Sequence, residues 1–508
     1  MIAPFSFGAV RSAATAVGQR PGRTVAVLIV LFVLFWTAYS SISRYNLDVH
    51  GDMVENYAWG IAWQLGYYKH PPLFSWIVAA WFEVFPRKQI FYHLLASASV
   101  GVTLAALWRI SLRFLDANQQ ILLVASAFFL PCLTFLVANY NATSAMLPFW
   151  AVTFLFYIRT LERRRALDAV LTGAFAALAI LAKYQSIVLP LTLATHLLLD
   201  REARPLLKSS LPWLAGLAGM VVLAPHVAWM VRMNFPTLRY AADQGNGFID
   251  SLASSATFVP IMVLYALPAV AFLGVFRRPG DGMPLFAFGQ IAALRATLAG
   301  RALLAALALP IIFTILLGLL AEGELSSLWT IPFFAVMPVA IVLLLPRPAA
   351  RRAPTLGLLV MGLYCATLLV IAPFIRGETL ERARSNSEVP FSAISREAQQ
   401  IWRNETGRGL AVVAGTEPAL ANAFAFYAPD RPHIIQAMSL ENTPWVTPEM
   451  IARDGAMAIC EAEDTDCATR SAALLGRIDK TVPLTVAAVP GAGGSSEWTF
   501  ALLLRLPE

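Results

Sequence analysis

The sequence predicts a mainly α-helical, polytopic membrane protein that carries a small soluble α/β domain at its C-terminal end. Of its 508 residues, 58% are hydrophobic and only 14% are charged, whereas about a quarter of an average soluble domain is charged. Apolar runs recur from Val25 to Ile375, each near the roughly 20 residues that a helix needs to cross a bilayer. After about residue 376 the composition is that of an ordinary soluble chain. We therefore divide the chain into a membrane domain, 1–375, and a soluble domain, 376–508.

The apolar runs predict about eleven transmembrane helices. They lie near 24–42, 90–110, 119–138, 142–158, 166–182, 186–199, 210–231, 255–276, 302–320, 328–345 and 355–375. Arginines precede the first run, as in a signal peptide, but no small-residue cleavage site follows it. We therefore expect the first helix to be retained in the protein.

Basic residues alternate from one connection to the next. Clusters such as Arg163 to Arg165 and Arg351-Arg352 lie in alternate connections, whereas 139–141 and 321–327 contain no Lys or Arg. Because positive charge marks the cytoplasmic side, the first connection, 43–88, and the soluble domain are predicted to be periplasmic. The net charge of +7 is spread over these connections, so it indicates membrane orientation and does not indicate a nucleic-acid partner.

The soluble domain is predicted to contain both a helix and short strands. The sequence predicts a helix at 398–404 and strands at 410–414, 456–459 and 498–504. Cys460 and Cys467 lie close enough in sequence to form a disulfide if the domain is exported. Cys132 and Cys365 fall in apolar runs and are expected to be buried.

The first connection contains most of the polar chemistry. One helical face is predicted along a segment that Gly66 ends, and its members are Asp52, Glu55, Asn56, Trp59 and Trp63. A second helix is predicted to start at Pro71-Pro72, with an apolar stripe of Phe74, Ile77, Val78, Trp81 and Phe85. Two short amphipathic helices rich in Trp and Tyr are typical of segments that lie in the membrane interface.

Two interpretations of these polar residues stay open at this point. Asp52 and Glu55 form an Asp-x-x-Glu capping box, which would only satisfy free backbone N–H groups at a helix start. The same carboxylates are also candidates for catalysis. Lys69 and His70 are equally consistent with side chains that extend toward the aqueous interface.

The motif Gly66-Tyr67-Tyr68-x-His70-Pro71-Pro72-Leu73, preceded by Asp52, resembles the first external loop of the bacterial glycosyltransferase 39-like family. This family is related to protein O-mannosyltransferases and to the aminoarabinose transferase that modifies lipid A. Two later segments, Ala182–Ser186 and Pro225–Arg239, also resemble it. The resemblance implies a GT-C fold and transfer of a sugar from a polyprenyl-phosphate carrier to an acceptor at the outer face of the membrane.

Three positions depart from the family pattern. Met53 follows Asp52 where an adjacent acid is frequent, and Asn141 lies where a second acid is common. In the aminoarabinose transferase a lysine precedes the proline and approaches the donor phosphate, whereas here His70 is in that place beside Lys69.

The resemblance implies the following roles. Asp52 is the expected general base for the acceptor hydroxyl, and Glu55 orients it or serves as a second acid. The donor phosphate is expected to contact Lys69, His70, Lys183 and Arg239. The expected contacts to the sugar or acceptor are Tyr57, Trp59, Tyr68, Asn141 and Tyr184. Outside the resemblance, Lys183 is equally consistent with a lysine extending toward the interface from a helix end.

No metal site is predicted, because the pair Glu322 and Glu324 alone does not make one. A divalent metal stays possible but has no support in the sequence. The expected partners are membrane lipids, the polyprenyl-phosphate-linked sugar and an envelope acceptor, which is lipid A or another glycolipid, a polysaccharide or a protein. The protein is expected to act as a monomer in the bacterial inner membrane.

Two other functions are compatible with many spans. A lipid-linked saccharide flippase or transporter would place charged residues in mid-span and use paired broken helices. A membrane-anchored scaffold would leave the polar loop without a purpose. The sequence concentrates its polar groups in the first connection, which argues against a transporter. The family resemblance implies a membrane glycosyltransferase that inverts the anomeric carbon.

Overall fold

A computed structural model describes residues 21–48, 50–245, 247–276, 289–344, 353–381, 385–491 and 497–508. The α-helices of its N-terminal part are α1 Pro21–Ser43, α2 Asp52–Gly60, α3 Leu73–Val84, α4 Gln89–Ser111, α5 Ala117–Ala127, α6 Ala142–Arg163, α7 Ala166–Ala182, α8 Val188–Leu199, α9 Leu211–Arg232, α10 Pro236–Asp243, α11 Phe248–Gly274, α12 Gly289–Arg295, α13 Leu298–Leu320, α14 Met337–Leu344 and α15 Ala353–Glu381. A polytopic, mainly helical membrane protein is confirmed.

Within these ranges, seven helices are long and apolar enough to cross a membrane, and an eighth span results if one bent pair is counted as a unit. The seven are α1, α4, α6, α9, α11, α13 and α15. The bent pair joins the 3₁₀ helix Ser327–Ala335 to α14 at an angle of 72°. The predicted number of eleven spans is therefore not confirmed.

Two of the predicted spans are interrupted near a proline. The run 119–138 forms α5 and then breaks at the 3₁₀ turn Pro131–Leu133, and the run 328–345 contains Pro332 in its 3₁₀ segment. Proline lacks the N–H that an α-helix needs and clashes with the preceding turn. The helices α7 and α8 are apolar but shorter than a full span.

The predicted orientation stays a prediction. Several of the basic residues on which it depends lie in 1–20, 277–288 and 345–352, outside the described residues.

The C-terminal part is a small α/β domain, as predicted. Its helices are α16 Phe391–Thr406, α17 Pro418–Tyr427, α18 Pro448–Asp454 and α19 Thr465–Leu475, and its strands are β1 Val412–Ala414, β2 His433–Ile434, β3 Ala456–Glu461, β4 Lys480–Ala487 and β5 Glu497–Arg505. The strand order is β2-β1-β3-β5-β4, with β1 parallel to both neighbours and β5 antiparallel to both of its own. Cys460 and Cys467 form the predicted disulfide.

The edge strand β4 is absent from the sequence-based prediction. Its residues alternate between exposed and buried, and Pro483 lies in its middle. Proline is tolerated at a sheet edge, where its missing N–H faces away from the neighbouring strand. A strand of this kind has a weak apolar signal.

The soluble domain packs directly against the first connection of the membrane domain. The ring of Phe426 in α17 contacts Tyr57 of α2 and Phe82 of α3, with centroid distances of 5.4 and 5.2 Å. Arg87 donates to the carbonyl oxygens of Phe426 and Ala428 at 3.1 and 2.9 Å, and so satisfies acceptors at the C-terminal end of α17. The helix α2 is therefore held between the membrane bundle and the soluble domain.

Candidate active site

The two helices predicted in the first connection are present as α2 and α3. The helix α2 ends at Gly60, earlier than the predicted end at Gly66. Gly60 packs directly on the Ser75 carbonyl of α3, and a Cβ at this position would clash with it. The glycine is therefore required for the close approach of the two helices. Because α2 ends here, Trp63 lies outside the helix.

The N-terminus of α2 is capped by Asp48, a residue that the sequence analysis missed. Its Oδ1 accepts hydrogen bonds from the backbone N–H groups of His50, Gly51 and Asp52, and its Oδ2 accepts from Met53 at 2.7 Å. No side-chain capping bond comes from the Asp-x-x-Glu box. The capping interpretation of Asp52 is therefore wrong. A possible sequence signal for the actual cap was Asp48-x-x-Gly51, since Asp bonds its own downstream backbone and Gly adopts positive φ.

Because Asp48 caps α2, the Asp52 carboxylate is not used as a cap. It lines a polar cavity of about 190 Å³. Its Oδ2 accepts a hydrogen bond of 3.0 Å from Asn141 Nδ2. The Oδ1 of Asn141 caps α6 by accepting from the N–H groups of Thr143 and Ser144 at 3.0 and 3.1 Å. Because the amide oxygen is occupied at the helix start, the amide nitrogen is directed to Asp52. Asn141 thus orients the carboxylate.

Lys183 lies on the same cavity, between α7 and the 3₁₀ turn Tyr184–Ile187 and outside both. Its Nζ donates to Thr143 Oγ1 at 2.8 Å and lies 5.0 Å from the ring centroid of Trp329. Within the described residues, neither Lys183 nor Asp52 forms an ion pair. Burial lowers the pKa of Lys183 to about 8, although the nearby Asp52 carboxylate opposes this shift. The cavity therefore presents a carboxylate and an ammonium that are both available to a ligand.

Lys69 is placed differently from Lys183. Its ammonium forms an ion pair of 2.8 Å with Glu55 and lies over the ring of Tyr68, 5.3 Å from the centroid. Glu55 lines the cavity, but Lys69 does not. The charge of Lys69 is thus compensated by Glu55, one layer of side chains behind the cavity.

His70 lines the cavity and packs edge-on against Trp59 and Phe74. Burial lowers its pKa to about 3, and the charges of Lys183 and Lys69 act in the same direction. The ring is therefore neutral at physiological pH, so it can donate one hydrogen bond to a phosphate but carries no charge.

The other predicted residues do not line this cavity. Trp59 is fully buried and stacks on Tyr67, Tyr57 packs against the soluble domain, and the hydroxyl of Tyr184 lies 2.7 Å from His226 Nε2. Tyr68 and Arg239 line a second cavity. The structure thus brings together Asp52, Glu55, His70, Asn141 and Lys183. It adds Thr143 and Trp329, which no sequence pattern indicated.

No group of three or more His, Cys, Asp or Glu side chains that could hold a metal ion is found in the described part of the chain. The divalent metal left open by the sequence therefore gains no support here.

Comparisons with known proteins agree with this architecture. Residues 69–229 match a family model described as dolichyl-phosphate-mannose-protein mannosyltransferase. The crystal structure of ArnT from Cupriavidus metallidurans bound to undecaprenyl phosphate superposes with a TM-score of 0.63 at 13% identity, covering 96% of this chain and 98% of that one. The chain has a GT-C fold. The apo structure of the same ArnT superposes with a TM-score of 0.59 at 14% identity, covering 96% of this chain and 98% of that one.

A curated relative comes closer in sequence than these GT-C structures. The lipid A galacturonosyltransferase RgtD of Rhizobium johnstonii is 25% identical over 218 residues, which is 43% of this chain and 46% of that protein. The chain thus matches less than half the length of this relative. The resemblance inferred from the first-loop motif is confirmed, although the family model begins at Lys69 and does not include Asp52.

Proposed function

We propose that the protein is an integral membrane glycosyltransferase that transfers a sugar from a polyprenyl-phosphate donor to a lipid A-type glycolipid. The observation that carries this proposal is the presence of two opposite charges, Asp52 and Lys183, on one polar cavity, where neither forms an ion pair within the described residues. The undecaprenyl phosphate bound to ArnT supports the class of donor, and the name of RgtD supports the class of acceptor.

Asp52 is the general base in this proposal. Its carboxylate takes the proton of the acceptor hydroxyl while the acceptor oxygen forms a bond to the anomeric carbon. The bond from that carbon to the phosphate oxygen breaks, and the phosphate leaves with the electron pair. Because the acceptor attacks opposite the leaving phosphate, the anomeric configuration is inverted. Asn141 keeps one carboxylate oxygen occupied, so the other is free to receive the proton.

Lys183 and His70 stabilise the leaving group. The negative charge on the departing polyprenyl phosphate increases in the transition state, and a preorganised ammonium in a buried site stabilises it there more than in water. The neutral His70 ring adds one N–H donor. In the proposal, the donor lipid enters from the membrane, the protein acts as a monomer, and the cavity faces the periplasm of a bacterial inner membrane.

The test uses the full-length protein in liposomes with a panel of undecaprenyl-phosphate sugars and lipid A, and detects the product by mass spectrometry. We expect Asp52→Asn to reduce kcat by about 100-fold or more, since general-base catalysis typically contributes 10²–10⁴. The matched control is Glu83→Gln, which removes an exposed carboxylate that forms a surface ion pair with Arg431. Lys183→Met is expected to raise the donor KM and lower kcat, with exposed Lys88→Met as its control.

Wild-type-like transfer by Asp52→Asn would remove this carboxylate from the mechanism. If the wild-type protein only moved the labelled donor between leaflets and formed no glycosylated product, it would be a flippase. The periplasmic placement is tested separately with a Glu83→Cys variant. Labelling by a membrane-impermeant maleimide in spheroplasts is expected, and protection of this cysteine would contradict the orientation.

A further inference from the structure

A second cavity, of about 730 Å³, lies beside the first loop and is larger than the one around Asp52. Its walls come from three parts of the chain: Gly66 to Tyr68, the segment from Trp229 to Asp243, and the segment from Ala437 to Trp445 of the soluble domain. The soluble domain therefore forms part of a pocket next to the candidate active site.

The side chains of this cavity match the chemistry of a saccharide. The lining includes the aromatic residues Trp229, Tyr240 and Trp445 and polar residues such as Asn442 and Arg239. A sugar presents apolar C–H faces that pack on aromatic rings, and hydroxyls that need fixed hydrogen-bond partners.

One layer of side chains separates the two cavities. Tyr68 lines the larger cavity, and its ring covers the ammonium of Lys69. Lys69 pairs with Glu55, which lines the cavity of Asp52. A ligand in the larger cavity is therefore close to the reacting groups but does not occupy the donor phosphate position at Lys183.

Two of the three walls contain non-glycine residues with positive φ. Phe235 in one wall and Ala437 and Met438 in the other have φ of 53°, 51° and 55°. Non-glycine residues rarely adopt this conformation, and such residues are concentrated at ligand sites. An exposed ion pair of 3.7 Å between Arg239 and Glu441 joins these walls. Such exposed pairs contribute little to stability, so a ligand can displace this contact at low cost.

We propose that this cavity binds the saccharide part of the acceptor, and that the soluble domain thereby selects the acceptor. The proposal rests on the glycosyltransferase function. Arg232 and Arg239 line the cavity together with Asp243 and Glu441. A phosphate or carboxylate group on the saccharide would replace Glu441 as the partner of Arg239. The proposal assigns Arg239 to the acceptor, whereas the family resemblance implied a contact with the donor phosphate.

The experiment measures donor and acceptor kinetics separately in liposomes. Tyr240→Ala and Asn442→Ala change partly exposed side chains, so both variants are expected to fold. We expect each to raise the acceptor KM about tenfold, equivalent to about 1.4 kcal/mol, with the donor KM and kcat unchanged. The control Asn404→Ala removes an exposed amide elsewhere in the soluble domain and is expected to behave as wild type.

A second readout does not depend on turnover. Tryptophan fluorescence of the full-length Asp52→Asn protein is titrated with de-acylated lipid A, a phosphorylated glucosamine disaccharide. Saturable binding that weakens about tenfold on adding Tyr240→Ala or Asn442→Ala supports the proposal. An increase in the donor KM instead, or disaccharide binding that neither variant alters, would overturn it. If binding behaves as expected but no product forms with any donor, the glycosyltransferase function fails and the saccharide site stands.

Discussion

The alkaline limb of the pH profile tests the role of Lys183. Its pKa is lowered to about 8 by burial, and only the protonated form attracts the donor phosphate. The cation is therefore present below pH 8 and is lost as the pH rises through this value. At pH 9 roughly one tenth of Lys183 is protonated, so kcat/KM for the donor is expected to fall about tenfold from its plateau.

The assay measures initial rates at sub-saturating donor between pH 7 and 9.5, because kcat/KM reports pKa values of the free enzyme. The donor is a phosphodiester and keeps a single negative charge across this range. Lys183→Arg keeps its charge at all these pH values, so its profile is expected to be flat where the wild type declines. Lys88→Arg is the matched control. A wild-type profile without a decline, or the same decline in Lys183→Arg, would refute the reasoning.

Three further predictions concern the scaffold. Asp48→Ala removes the cap of α2 and is expected to destabilise the protein by about 1–2 kcal/mol or more and to lower kcat; an unchanged thermal midpoint would contradict the capping role. Gly51→Ala places a Cβ 2.6 Å from the Cβ of Ala419 at a φ of 83°, so a loss of about 2–4 kcal/mol is expected from strain and overpacking. Adding Ala419→Gly should recover only the overpacking part, and an additive double mutant would disprove the contact. Replacing Cys460 and Cys467 by Ser opens a short loop and is expected to cost about 2–3 kcal/mol, seen as a lower unfolding midpoint with unchanged initial rates at 25 °C; equal midpoints would rule this out.

The sequence predicted the parts of the site that are determined by local patterns. Asp52, His70 and Lys183 belong to segments that resemble one family, and each follows or precedes an apolar run. Asp52 and His70 lie in one predicted connection, and the segment around Lys183 resembles the same family, so their proximity was a reasonable expectation. The apolar runs likewise predicted most helices, because a bilayer requires continuous apolar surface.

The remaining features depend on contacts between distant parts of the chain. Either Asp48 or the Asp52–Glu55 box would satisfy the N–H groups at the start of α2, and the path of the chain before Asp48 decides between them. Tyr57 was expected at the substrate but contacts Phe426, more than 300 positions away in sequence. Arg239 points to a cavity that exists only because the soluble domain closes it. No local pattern contains this information.

The packing of α17 on α2 limits how this protein can be divided or recombined. A fragment of 376–508 produced alone would expose the ring of Phe426 to water, and an excess of exposed apolar surface favours aggregation. A membrane domain without the fragment would leave α2 unsupported on the side opposite Asp52. Chimaeras with relatives should therefore exchange the first loop and α17 together, and acceptor range and catalytic rate are expected to change jointly when only one of them is replaced.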